Sequence, residues 1–68
     1  MHEAPRPARL LRLAEVSNRC GLGKTAIYSR ARAGSFPKPV DLGGVSAWVE
    51  SEVEAWISGR IKERDKAA

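Results

Sequence analysis

Leu13-Ala-Glu-Val-Ser-Asn-Arg-Cys-Gly-Leu-Gly-Lys-Thr-Ala-Ile-Tyr-Ser-Arg-Ala-Arg-Ala-Gly34 is the stretch on which the fold turns. Leu13, Val16 and Cys20 recur at i, i+3 and i+7, the spacing that gathers three side chains on one face of a helix. Gly21-Leu22-Gly23 then breaks the period, and Leu22, apolar between two glycines, is accommodated by pointing into the angle between two helices. Helix propensity resumes at Lys24 and runs to about Ala33, where Gly34 offers a stop and Pro37 forbids continuation. The pattern predicts a helix-turn-helix.

Downstream of this motif, Phe36-Pro-Lys-Pro39 reads as an extended segment with Phe36 as a core plug under the second helix. Val40-Asp-Leu42 and Val45-Ser-Ala47 flank Gly43-Gly44, which predicts a tight hairpin; alternation places Val40 and Leu42 on one face and Asp41 outside. Trp48 closes the second strand and is assigned to the core. Ser51-Glu-Val-Glu54 fits a capping box opening a third helix, along which Val53, Trp56, Ile57 and Ile61 form one apolar stripe. Beyond Gly59 the mixed charge predicts an exposed helical end that frays. Upstream, Leu10-Leu11 offers a residue or two of strand that can pair with the hairpin, and residues 1–9, with two prolines and no apolar period, read as a flexible arm in which Arg6 and Arg9 are basic. The division expected is an arm over 1–9, a folded domain over 10–61 and a tail over 62–68.

At 68 residues the chain has room for one small core and little for a substrate cavity. One cysteine with one histidine, His2, makes neither an internal disulfide nor a four-ligand zinc site, so no metal or cofactor is expected. No apolar run approaches the roughly 18–20 residues of a membrane span, and the N-terminus lacks a secretory apolar stretch. A soluble protein of the bacterial cytoplasm, associated with the nucleoid, is the expectation. Charge is unevenly placed. Residues 1–38 hold eight Lys/Arg against Glu3 and Glu15, whereas residues 39–68 hold four against six carboxylates. The half with the two-helix motif therefore carries the cations that a polyanion partner needs.

Taking Ile27 as the inward reference of the second helix, Ala31 lies about 40° from it, while Thr25, Ser29 and Arg32 fall within about 40° of the outward direction and Tyr28 stands at the side. Small hydroxyls allow close approach to a major groove, Tyr28 can stack or donate to a phosphate, and Arg32 suits a phosphate or a guanine edge. Lys24 begins the helix, where the dipole itself attracts phosphate. An ordinary solvated helix is also polar outside; the adjoining turn and the charge asymmetry favour the groove-reading face. Glu50, Glu52 and Glu54 are explained by the macrodipole of the third helix, and with no nucleophile or base beside them an enzyme is not expected.

These features together resemble the AlpA-type prophage regulators, small members of a MerR-like winged-helix group that also contains phage excisionases. The resemblance spans roughly residues 9–61. It rests on Leu10-Leu-Arg-Leu-x-Glu-Val16, Gly21-Leu-x-x-x-x-Ile-Tyr28, Gly34-x-Phe-Pro-Lys-Pro-Val40, Leu42-Gly43 and Trp48-x-x-Ser-Glu-Val-x-x-Trp-Ile57, in order and near family spacing. It implies a mostly α fold with a small β-hairpin, a winged helix-turn-helix that binds double-stranded DNA. Lys24, Thr25, Tyr28, Ser29 and Arg32 would lie on the recognition helix and hairpin 40–48 would be the wing; Arg12 and Lys38, basic residues of the first half, are read with them as DNA contacts. The chain departs from the family's pattern at Gly23, where a serine cap is usual, at Val45 in a hairpin one residue short, and at Val49-Glu50, where a basic pair is frequent. These departures shift the expected contact from the wing toward the recognition helix and the arm.

The function expected is a sequence-specific DNA-binding regulator of a prophage or mobile element, with an excision factor that bends attachment-site DNA as the alternative. A protein-interaction adaptor that has lost DNA binding is the reading from a different class. Partners implied are duplex DNA, a second copy in a homodimer or cooperative multimer, and an integrase or other phage protein.

Overall fold

The computed structural model describes residues 8–67; Arg6 and most of the expected arm lie outside them. The element order is β1 (Leu10–Leu11), α1 (Leu13–Cys20), α2 (Lys24–Ala33), β2 (Val40–Asp41), β3 (Ser46–Val49) and α3 (Glu50–Ala67). The architecture is mostly helical with a small sheet, as a winged helix-turn-helix requires. β3 is central and antiparallel to both neighbours, pairing Leu10 with Val49, Leu11 with Trp48, Val40 with Ala47 and Asp41 with Ser46. The two leucines thus supply the strand that their position suggested, and the Glu50 amide continues the ladder by donating to the Arg9 carbonyl at 2.8 Å.

The core consists of Leu11, Val16, Ile27, Phe36, Trp48 and Val53, with Leu13, Cys20, Leu22, Tyr28, Trp56 and Ile57 packed around it. Each of β1, α1, α2, β3 and α3 contributes an apolar face, so no element holds its place alone. Phe36 is buried, and the indoles on either side secure its segment: Trp48 Nε1 donates to the Pro37 carbonyl at 3.1 Å and Trp56 Nε1 to the Ser35 carbonyl at 2.7 Å. Phe36 also meets the Trp56 ring edge-on, centroids 4.8 Å apart.

At the hairpin tip, Gly43 and Gly44 have φ of 86° and 94°, the positive pair that a two-residue turn matched to strand twist demands. Asp41 is not idle on the outside. Its Oδ1 accepts from the amides of Gly43 and Gly44 at 2.9 and 3.2 Å, closing the turn from within.

Three expectations are corrected. First, α3 begins at Glu50 directly out of β3, so Ser51 lies inside the first turn and the capping box is not formed; the β1–β3 ladder already delivers the chain into helix geometry. Second, Val40 and Leu42 are 38% and 50% exposed, because β2 is two residues long and ends before Leu42; the hairpin's buried residues are Ala47 and Trp48 on β3. Third, Ile61 is 47% exposed. The apolar stripe of α3 ends at Ile57, and from Ser58 to Ala67 the helix runs beyond the body that could cover it.

Candidate nucleic-acid interface

The angle between α1 and α2 is set by local hydrogen bonds. The Ser17 hydroxyl donates to the Leu22 carbonyl at 2.7 Å, and the Gly21 amide, in the left-handed region, donates to the Ser17 carbonyl at 2.8 Å. Leu22 packs against the core between them. One serine thus spans the turn, a role that its spacing in sequence did not advertise.

α2 starts without a side-chain cap. Gly23 is its N-cap, its first turn holds no carboxylate, and the first intrahelical donor is Ile27, to the Gly23 carbonyl at 3.0 Å. The amides of Lys24, Thr25 and Ala26 come before that bond, and Lys24 adds a cation at the positive end of the helix. α1 also lacks a side-chain cap bond, with Arg12 as its N-cap residue, but unlike α2 it carries a carboxylate, Glu15, in its first turn. Cations at two helix starts oppose the stability of both helices and suit an anion placed before them.

Ile27 and Ala31 face the core, which turns Lys24, Thr25, Ser29 and Arg32 outward, all exposed, together with Arg30. Tyr28 is only half-exposed. Its ring packs edge-on against Trp48, centroids 5.6 Å apart, so the side position read from the helical wheel is also an anchoring position. α2 ends in a Schellman pattern, with Gly34 and Ser35 amides donating to the Ala31 and Arg30 carbonyls at 3.2 and 2.9 Å. The chain then passes the buried Phe36 and presents Lys38 in the open. Tyr28, Ala31, Arg32, Lys38 and Pro39 line one concavity of about 370 Å³. Three of the residues singled out in sequence therefore meet there, while Lys24, Thr25 and Ser29 occupy the outward face of α2 and Arg12 the start of α1.

The electrostatics sort these cations from the rest. No Asp or Glu occurs between residues 16 and 40, and among the described residues Arg12, Lys24, Arg30, Arg32 and Lys38 make no ion pair. Arg9 and Arg19 are the paired cations of this half: Arg9 lies 4.0 Å from Glu50, and Arg19 is held by three carboxylates. The Arg19 guanidinium meets Glu54 at 2.6 Å, Glu50 at 3.0 Å and Glu15 at 3.4 Å, joining α1 to α3. Desolvation lowers the Arg19 pKa, and the bonds to Glu54 and Glu50, with Glu15 behind them, outweigh it and hold the group above its ordinary value. Only the Glu15 contact, at i and i+4, was legible in sequence; the other two cross the fold.

The hairpin offers little to a phosphate. No Lys or Arg lies between residues 39 and 59, the Asp41 carboxylate sits beside the tip, and the Gly43 and Gly44 amides are already engaged by it.

Residues 9–61 match the family described as prophage CP4-57 regulatory protein (AlpA). The chain belongs to the AlpA family. Its relatives include ORF88 of Enterobacteria phage P4, 49% identical over 59 residues that cover 85% of this chain and 67% of that protein. They also include the DNA-binding transcriptional activator AlpA of Escherichia coli (strain K12), 36% identical over 61 residues, 79% of this chain and 87% of that protein. No solved structure matches the chain significantly. The AlpA match encloses every residue of the interface just described, from Arg12 to Pro39, and stops before the last exposed turns of α3. Among the described residues no helix is long and apolar enough to cross a membrane.

Proposed function

We propose that this AlpA-family protein regulates a prophage or related mobile element by binding duplex DNA sequence-specifically, with α2 inserted in the major groove. The observation that carries this reading is the outward face of α2: hydroxyls and cations with no carboxylate to neutralise them, while the Arg19 charge of the same half is consumed inside the fold. The AlpA relative's name as a DNA-binding transcriptional activator supports it.

In this mechanism Thr25 and Ser29 approach base edges closely because their side chains are short, and Arg32 pairs with a guanine edge or a phosphate. Lys24 and the three leading amides of α2 take a phosphate at the helix start, and Arg12 takes another before α1. Tyr28, held against Trp48, directs its hydroxyl from a fixed ring. Hairpin 40–48 flanks the duplex as a wing that contributes shape rather than charge. One such module buries about 600–1,000 Å² on DNA, too little for high specificity, so several copies or a dimer share the site.

The test is binding of the purified protein to fluorescent duplexes across a salt series. Five unpaired cations, at a slope near −0.9 per phosphate, predict log K falling against log salt with a slope of about −4.5. Lys24→Ala and Arg32→Ala each make that slope shallower by about 1. Absence of duplex binding at low salt would overturn the reading. The arrangement of bound copies then separates two roles: spaced half-sites at a promoter mark a regulator, and direct repeats with bent DNA mark an excision factor.

A further inference from the structure

The concavity between the second half of α2 and the Pro37–Pro39 segment is unlike a plain cationic patch. Its lining is mostly apolar, combining Ala31, Pro39 and Tyr28 with the two cations Arg32 and Lys38. Its walls are also fixed. Tyr28 is held edge-on by buried Trp48, the Trp48 indole grips the Pro37 carbonyl, and prolines on both sides of Lys38 restrain its backbone. A lysine presented from such a segment loses less conformational freedom on binding than one on a loose loop.

A bare anion would neither fill the volume of about 370 Å³ nor match the apolar part of the lining. The lining calls for an anion joined to a compact hydrocarbon body. A flipped base is a poor match, since unstacking costs a few kcal/mol and the lining has no set of donors and acceptors for a base edge beyond one hydroxyl and two cations. Deoxyribose phosphate has the required two-part chemistry, and the notch adjoins the helix that the reading above places in the groove.

We infer that this notch seats one sugar–phosphate unit of the DNA backbone beside the reading helix, with Lys38 and Arg32 on the phosphate and Tyr28, Ala31 and Pro39 under the deoxyribose. The inference rests on the DNA-binding reading and adds to it a single anchor that fixes how deep and in what register α2 lies. Lys38 is a positioning residue here, not a base reader.

The test uses a duplex recovered by the wild-type protein from a random library, remade with single methylphosphonate linkages walked along both strands. Neutralising the seated phosphate is expected to weaken wild-type binding about tenfold. Lys38→Ala is expected to bind the all-phosphate duplex more weakly, to lose most of that position's sensitivity, to flatten the salt slope by about 0.9, and to keep the wild-type sequence motif. Lys38 is exposed, and an unchanged circular dichroism melt confirms that the variant is folded. A variant whose methylphosphonate profile equals the wild type's would overturn the seat while leaving DNA binding intact. Failure of the wild type to bind any duplex would overturn the DNA reading and the seat with it. A deoxynucleoside monophosphate at millimolar concentration is expected not to raise the melting temperature; a saturable rise that Lys38→Ala abolishes would reassign the notch to a free nucleotide.

Discussion

Replacing Lys24 by glutamate is expected to make the fold more stable and the protein a poorer DNA binder. Lys24 is exposed at the first position of α2, beside three amides with no intrahelical acceptor, under a Gly23 cap that offers no side chain, in a first turn without a carboxylate. A cation at that end opposes the helix dipole by about 0.3–1 kcal/mol, and a carboxylate there gains a similar amount. The charge reversal therefore contributes about 1 kcal/mol, which for a domain of this size raises Tm by about 4–8 °C. On DNA the same change removes a phosphate contact and places a negative charge where one was held. Affinity should fall by more than tenfold at low salt, and the salt slope should become shallower by at least about 0.9. Thermal melts followed by circular dichroism and anisotropy titrations read the two effects separately. A lowered Tm would refute the account of the uncapped helix start; a raised Tm with unchanged DNA affinity would refute the placing of phosphate there.

Other consequences follow from particular contacts. Gly34→Ala keeps open space around the new methyl but forces a side chain to φ of 85°, so it should cost about 1–2 kcal/mol and lower Tm without altering the DNA motif, as melts and selection would show. Ser17→Ala removes the hydroxyl that spans the turn to Leu22 and should cost about 1 kcal/mol, with DNA binding weakened because α2 is less firmly aimed. Arg19→Met breaks the contacts to Glu15, Glu50 and Glu54 and should lower Tm while leaving the affinity of the folded fraction nearly unchanged, in contrast to Arg32→Ala. The raised Arg19 pKa makes its stabilising charge fully present at all pH values below the arginine's unfolded value, so this charge is lost only in strong alkali and gives no titration step in melts across the neutral range.

What could be read from the sequence was whatever local period and turn chemistry determine. The bounds of α1 and α2 follow from Leu13, Val16 and Cys20, the glycine turn and Gly34, and the fates of Phe36 and Trp48 follow from their flanking prolines and strand. What could not be read depends on contacts between distant residues. Arg19 looked like one more basic residue of the first half, and only the approach of α3 to α1 turns it into a structural group. α3 starts at Glu50, ahead of the Ser51 capping box, because a β-ladder bond from Glu50 to Arg9, invisible to capping rules, fixes it first. Val40, Leu42 and Ile61 carried a correct period, but period does not say where the body of the protein ends. The candidate site divides the same way. Helical geometry placed Thr25, Ser29 and Arg32 on one outward face, whereas the meeting of Tyr28, Arg32 and Lys38 around one notch required the fold.

That α2 reads DNA is tested by selection from a random duplex library with the wild type, Thr25→Ala and Ser29→Ala. The expected result is one enriched motif for the wild type and, for the two variants, relaxed preference at separate positions within that motif, each corresponding to about 1–3 kcal/mol of discrimination. A wild type that enriches nothing, or two variants that both recover the unaltered motif, would contradict it.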